Sequence, residues 1–189
     1  MSHDGSVVVR WKGLPGWTAA MMNECIDDPN VGLQPVLDRN PSLSAVIILV
    51  GTNDIGTYTS TSIGADFDVD DAVSPILKLH QACLESLDDN GDQTLRTIAL
   101  GIPTSLWQEM NSDAARLRVA MNDRLRKFAD ANERVTYVDF PFSFQRGSPN
   151  WSPDGLHFSP EGYQLLGTAL STAVGAIIES CDERSEKED

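Results

Sequence analysis

The stretch Ala45-Val46-Ile47-Ile48-Leu49-Val50, closed by Gly51, constrains the fold more than any other part of the chain. Six consecutive apolar residues with no polar alternation describe a strand covered on both faces. Such a strand belongs in a parallel sheet with helices above and below it. Three shorter runs fit the same pattern: Val7-Val8-Val9, Thr97-Ile98-Ala99-Leu100 and Val135-Thr136-Tyr137-Val138. Gly51, then Gly101 and Pro103, then Asp139 and Pro141 stand at or near the ends of the three later strands, where the chain must turn.

Helical spacing fills the intervals. Val73, Ile76, Leu77, His80, Cys83, Leu84 and Leu87 form one apolar stripe, which makes His80 a core residue. Ala114, Leu117, Met121, Leu125 and Phe128 form a second, with Arg116, Arg118, Arg124 and Lys127 on the wet side. A third helix follows Ser159, a capping residue, with Pro160 and Glu161 suited to its first turn. A weaker helix is expected from about Thr18 to Cys25, and the polar, Asp-rich segment Tyr58 to Asp71 reads as an insertion loop. Alternating strands and helices predict an α/β fold, and 189 residues suit one domain, placed at 1–178. The remaining 179–189 carry six acids and two bases and are expected to be a disordered tail.

The balance of 14 Lys and Arg against 28 Asp and Glu gives a net charge of −14. That leaves no electrostatic footprint for nucleic acid or an anionic membrane. The six-residue apolar run falls far short of the roughly 20 residues that span a bilayer. Met1 to Ser6 hold no apolar signal core, so a reduced, cytoplasmic setting is the default expectation. Cys25, Cys83 and Cys181 are too few and too scattered for a disulfide framework or a zinc site.

Ligands of parallel sheets sit beyond the carboxyl ends of the strands, so the loops there hold the candidate chemistry. After Val50 comes Gly51-Thr52-Asn53-Asp54, where Asn53 can aim its amide at a substrate oxygen; an ordinary strand-to-helix turn is the competing explanation. After Val9, the segment Lys12-Gly13-Leu14-Pro15-Gly16-Trp17-Thr18 leads towards a helix, and Gly16 offers a bare backbone N–H to an anion, or is simply part of the turn. In Ser152-Pro153-Asp154-Gly155-Leu156-His157-Phe158, Asp154 stands three residues before His157. A carboxylate at that spacing can hold Nδ1–H and leave Nε2 as a general base, unless the pair is only a capping turn.

Taken together, the three segments resemble the SGNH hydrolases, or GDSL-type esterases, in the family's block order from about Val7 to Ile178. Gly16 matches the glycine block, Gly51-Thr52-Asn53-Asp54 the G-x-N-D block, and Asp154-Gly155-Leu156-His157 the D-x-x-H block. The resemblance implies a flavodoxin-like, three-layer α/β/α domain that hydrolyses carboxylic or acetyl esters by acyl transfer. It implies His157 and Asp154 as base and orienter, and Asn53 with the Gly16 N–H as the oxyanion hole. No metal or organic cofactor is called for, and the partner is a small-molecule ester.

The sequence departs from the family at one block: it contains no Gly-Asp-Ser. Asp4-Gly5-Ser6 lies before Val7-Val8-Val9 rather than after it. At about 3.3 Å per residue, this puts Ser6 on the order of 10 Å or more from the expected site. Ser6 is therefore not expected to be the nucleophile, and none is assigned. The family's first strand is internal and precedes the second, to which Val7–Val9 corresponds. The fold expected here lacks that strand and the first helix, as though Met1 were an internal start. In the alternative, Val7–Val9 pairs directly with Ala45–Val50. Hydrolysis by the chain as given is expected to be very weak or nil. A non-catalytic ester- or carbohydrate-binding relative is the competing function, with Trp17 and Trp151 as substrate-binding aromatics at the rim beside Trp107.

Overall fold

The structure is a computed structural model that describes residues 8–61 and 67–185, with side chains at 8–60 and 67–175. Three parallel strands make its sheet: β1 (Ala45–Ile48), β2 (Arg96–Leu100) and β3 (Val135–Val138), in the order β1-β2-β3. Val46 stands opposite Thr97 and Ile47 opposite Ile98; Ile98 in turn stands opposite Thr136. This register sends Val46, Ile48 and Ala99 to one face, and Ile47, Ile98 and Leu100 to the other.

Seven helices flank the sheet among the described residues: α1 (Ala19–Glu24), α2 (Gln34–Asp38), α3 (Thr52–Thr61), α4 (Val69–Glu85), α5 (Leu106–Met110), α6 (Ser112–Asp130) and α7 (Pro160–Ser185). The Asp68 carboxylate caps α4, accepting from Asp70 N–H, and Asn111 caps α6 through the N–H groups of Asp113 and Ala114. Ser159 caps α7 through Gly162 N–H at 3.0 Å. The first face packs Val46 and Ile48 against Leu37, Cys83 and Leu95, and Ala99 against Leu84 and Phe128. The second packs Leu100 and Val138 against Trp151, Phe158, Leu166 and Leu170. His80 is fully buried, with Nδ1 2.7 Å from Thr97 Oγ1. Burial pushes its pKa down to about 4.

Four expectations need correction or extension. Val8 and Val9 belong to no strand and are about 80% exposed, while Val7 lies outside the described residues. β-Branched side chains favour a pleated surface, but a strand bonds only to a neighbour, and none lies against these residues. The segment Tyr58 to Asp71 is not one loop, because it begins inside α3 and ends inside α4. Leu87 lies past the end of α4 and is exposed. α7 continues beyond Ile178, the expected end of the domain, to Ser185.

Candidate active site

Gly51 makes the first part of the site possible. Its φ is +118°, and a Cβ there would lie 2.5 Å from Ile102 Cδ1. Only glycine tolerates both that conformation and that approach. The chain then enters α3 at once, so Asn53 and Asp54 occupy a helical first turn instead of a loop. Asn53 Nδ2 donates to Trp17 C=O at 2.9 Å. One of its two amide protons is thereby used, and the other remains to donate.

Asp54 is 2% exposed and accepts the Ala19 N–H at 3.0 and 3.2 Å through its two oxygens. Ala19 begins α1, so this carboxylate satisfies one of that helix's unpaired N–H groups. Burial raises its pKa, against the lowering effect of the Ala19 hydrogen bond. Adjacent residues of α3 therefore staple Trp17 and Ala19, and so fix the path of the chain out of Gly16. The Gly16 φ is +79°, and its surroundings are open, with no atom within 4 Å of where a Cβ would stand. Trp17 is half-buried.

The second part is the turn between Trp151 and Phe158, which bridge each other in antiparallel fashion. His157 C=O accepts from Ser152 N–H at 2.9 Å, and Ser152 C=O from Gly155 N–H at 3.0 Å. Asp154 Oδ1 accepts the backbone N–H groups of Leu156 and His157 at 2.8 and 2.9 Å. Its Oδ2 lies 2.8 Å from His157 Nδ1. The imidazole bond, followed by the two backbone bonds, holds the Asp154 pKa down to about 2. An ionised partner assigns the proton to Nδ1 and leaves Nε2 of the neutral ring with its lone pair. The ring is 66% exposed, and its Nε2 bonds to none of the described residues.

Gly155, at φ +66°, sits against α5: a Cβ would come 2.5 Å from Leu106 Cβ, and Leu106 N–H donates to Gly155 C=O at 2.9 Å. Trp151 is 7% exposed, edge-to-face with Phe142, Phe144 and Phe158, and its Nε1 donates to Ser143 C=O at 3.3 Å. It is a core ring that also lines a cleft of about 420 Å³ with Leu106, Phe144, Arg146, Ser152 and Gly155. Asn53, Gly16 and Trp17 thus belong to one assembly built on α1 and α3, while Asp154 and His157 belong to another built on α5 and the aromatic core. Ser6 lies outside the described residues. Asp54 and Thr59 were not assigned roles from the sequence, and Trp107 was placed only among the rim aromatics; Asp54 serves α1 from 35 residues away, which no local signal reveals.

Among the described residues, no group of three His, Cys, Asp or Glu could hold a metal ion, and no helix is long and apolar enough to cross a membrane. Residues 2–165 match the GDSL-like lipase/acylhydrolase family. The fold is similar to that of a proposed arylesterase from Agrobacterium tumefaciens, at 22% identity and a TM-score of 0.62, over 92% of this chain and 82% of that one. A GDSL-like lipase from Bacteroides thetaiotaomicron is similar at 18% identity and a TM-score of 0.62, over 87% and 74%. A proposed acylhydrolase from Bacteroides fragilis gives 20% identity and a TM-score of 0.62, over 87% and 73%. No curated protein matches the sequence.

Proposed function

The chain belongs to the GDSL-like lipase/acylhydrolase family, and on that premise we propose that its site binds and hydrolyses small carboxylic or acetyl esters, using His157 as base. The observation that carries this reading is the Asp154–His157 pair, in which a carboxylate held by two backbone N–H groups meets Nδ1 at 2.8 Å. Asp154 orients the ring and stabilises the imidazolium that forms when Nε2 takes a proton. The free amide proton of Asn53 and the Gly16 N–H supply the oxyanion hole. Such donors matter most in the tetrahedral intermediate, where each contributes roughly 10²–10³ in rate.

With no Gly-Asp-Ser in the sequence, the attacking group we propose for this chain is water. Nε2 removes its proton as oxygen bonds to the carbonyl carbon. The tetrahedral oxyanion then collapses, the C–O bond to the alcohol breaks, and imidazolium returns the proton to the leaving oxygen. Hydrolysis by this route is slow, because a free water has to be ordered within the step itself. Trp17, half-buried beside Asn53, is the proposed wall for the ester, and Trp151 contributes through the cleft it lines.

The test uses p-nitrophenyl acetate and the full chain. The expected result is slow turnover above the buffer rate, lost in His157→Ala and retained in Ser6→Ala. Turnover that is indifferent to His157→Ala overturns the assignment; loss in Ser6→Ala identifies a different nucleophile. A second reading, a non-catalytic ester- or carbohydrate-binding relative, is favoured by the absence of a hydroxyl bonded to Nε2 among the described residues. It expects binding without any turnover.

A further inference from the structure

We infer that Trp107 is a positioning residue, whose hydrogen bond to Thr59 holds the oxyanion side of the site in register with the base side. This inference rests on the assignment of Asn53 and His157 to one site.

α5 has only five residues and no side-chain cap on its N-terminus. A helix that short has no stability of its own, so tertiary contacts decide where it sits. Its first residue, Leu106, is joined to the turn that carries Asp154 and His157 through the Gly155 carbonyl at 2.9 Å. The contact is close enough that Gly155 cannot acquire a side chain without moving α5. On the outer side, Glu109 pairs with Arg146 at 2.7 Å.

The next residue, Trp107, reaches the other way. Its Nε1 donates to Thr59 Oγ1 at 2.9 Å. Thr59 lies in α3, six residues after Asn53, and is 1% exposed. Its hydroxyl proton goes to Ile55 C=O at 2.7 Å, which fixes the rotamer and leaves a lone pair for the indole. Trp107 as a residue is 42% exposed. Burial of the ring therefore does not require this bond, and a solvent-facing tryptophan could satisfy its N–H with water.

The consequence is a continuous link: His157 turn, Gly155, Leu106, Trp107, Thr59, α3, Asn53. Trp107 Nε1–Thr59 Oγ1 is the side-chain hydrogen bond between α5 and α3 among the described residues. A helix is stiff, so a shift at Thr59 is carried along about 9 Å of α3 to the Asn53 amide. Misplacing donors by a fraction of an ångström against the base lowers rate more than it lowers affinity.

The experiment follows the Asn53 side-chain NH₂ and the His157 ring signals by NMR in the full chain, with Trp107→Phe, Thr59→Val and the double variant. Both single variants are expected to shift both sets of signals, and the double variant to shift them no further. Thr59→Ser, which keeps the acceptor oxygen, restores the parent spectrum. With p-nitrophenyl acetate, both single variants are expected to lower kcat about three- to tenfold at unchanged KM. Shifts confined to residues touching the substituted side chain, with His157 unmoved, overturn the inference. Coupled shifts in a chain that never hydrolyses the ester contradict the proposed activity and leave the link standing.

Discussion

His157 Nδ1 lies 2.8 Å from Asp154 Oδ2, while Asp154 Oδ1 accepts the backbone N–H of the same histidine at 2.9 Å. One carboxylate thus fixes both the ring and the backbone that carries it. Because the Asp154 pKa falls from its ordinary 3.8 to about 2 on folding, the ionised form is the one the turn favours. That contribution is fully present above pH 3.8 and is lost as pH falls through about 2. A carbon-detected NMR titration of the Asp154 carboxyl should find its midpoint near 2. A midpoint near 3.8 would mean that the turn does not hold the carboxylate in solution.

Asp154→Asn should keep the fold and lower ester turnover towards that of His157→Ala. The amide can still accept backbone N–H bonds but cannot stabilise imidazolium. Thermal unfolding and nitrophenyl ester kinetics on the same preparations check this.

Gly155→Ala should both destabilise the protein and impair turnover. A φ of +66° strains any L side chain, and the new methyl would lie 2.5 Å from Leu106 Cβ. The strain alone is worth about 1–2 kcal/mol. Denaturant unfolding measures the first effect and ester kinetics the second; an unchanged midpoint would show that the turn adapts freely.

His80 governs a separate pH response. It is buried, its Nδ1 is bonded to Thr97, its Nε2 has no hydrogen-bond partner among the described residues, and burial holds its pKa at about 4, below the ordinary 6.5. The unfolded chain binds this proton more readily than the folded one. Stability is therefore full above pH 6.5 and falls progressively as pH drops towards 4, by about 3 kcal/mol in all. Urea unfolding at pH 7.5 and pH 4.5 should show the loss, and His80→Leu should flatten it. An equal loss in His80→Leu would assign the effect to other groups.

The strands were legible from their short apolar and β-branched runs, but the expected cover on both faces of the first does not hold, since Ile47 of β1 is 38% exposed. Val135–Val138 matches β3 residue for residue, and the β1 and β2 runs differ from the observed strands only at their ends. The cap at Ser159 was legible because its hydroxyl performs a local task that sequence spacing specifies. α3 was not. Its sequence TNDIGTYTST is rich in Thr and contains Gly, residues that disfavour helix, and it forms because Ile55 and Thr59 pack into the interior. Trp151 shows the same limit, since no local pattern distinguishes a rim tryptophan from one enclosed by Phe142, Phe144 and Phe158. The contact between Asp154 and His157 was readable from their spacing within one turn. The staples from Asn53 to Trp17 and from Asp54 to Ala19 span 36 and 35 residues, and only the fold brings them together.

The most direct measurement is an NMR titration of the isotopically labelled chain with methyl acetate, following the Asn53 side-chain NH₂, the Gly16 N–H and the His157 ring. One shared saturation curve for all three is the expected result, since a single ester would touch both halves of the site. A response at His157 with Asn53 and Gly16 silent would contradict the assignment of these residues to one catalytic centre.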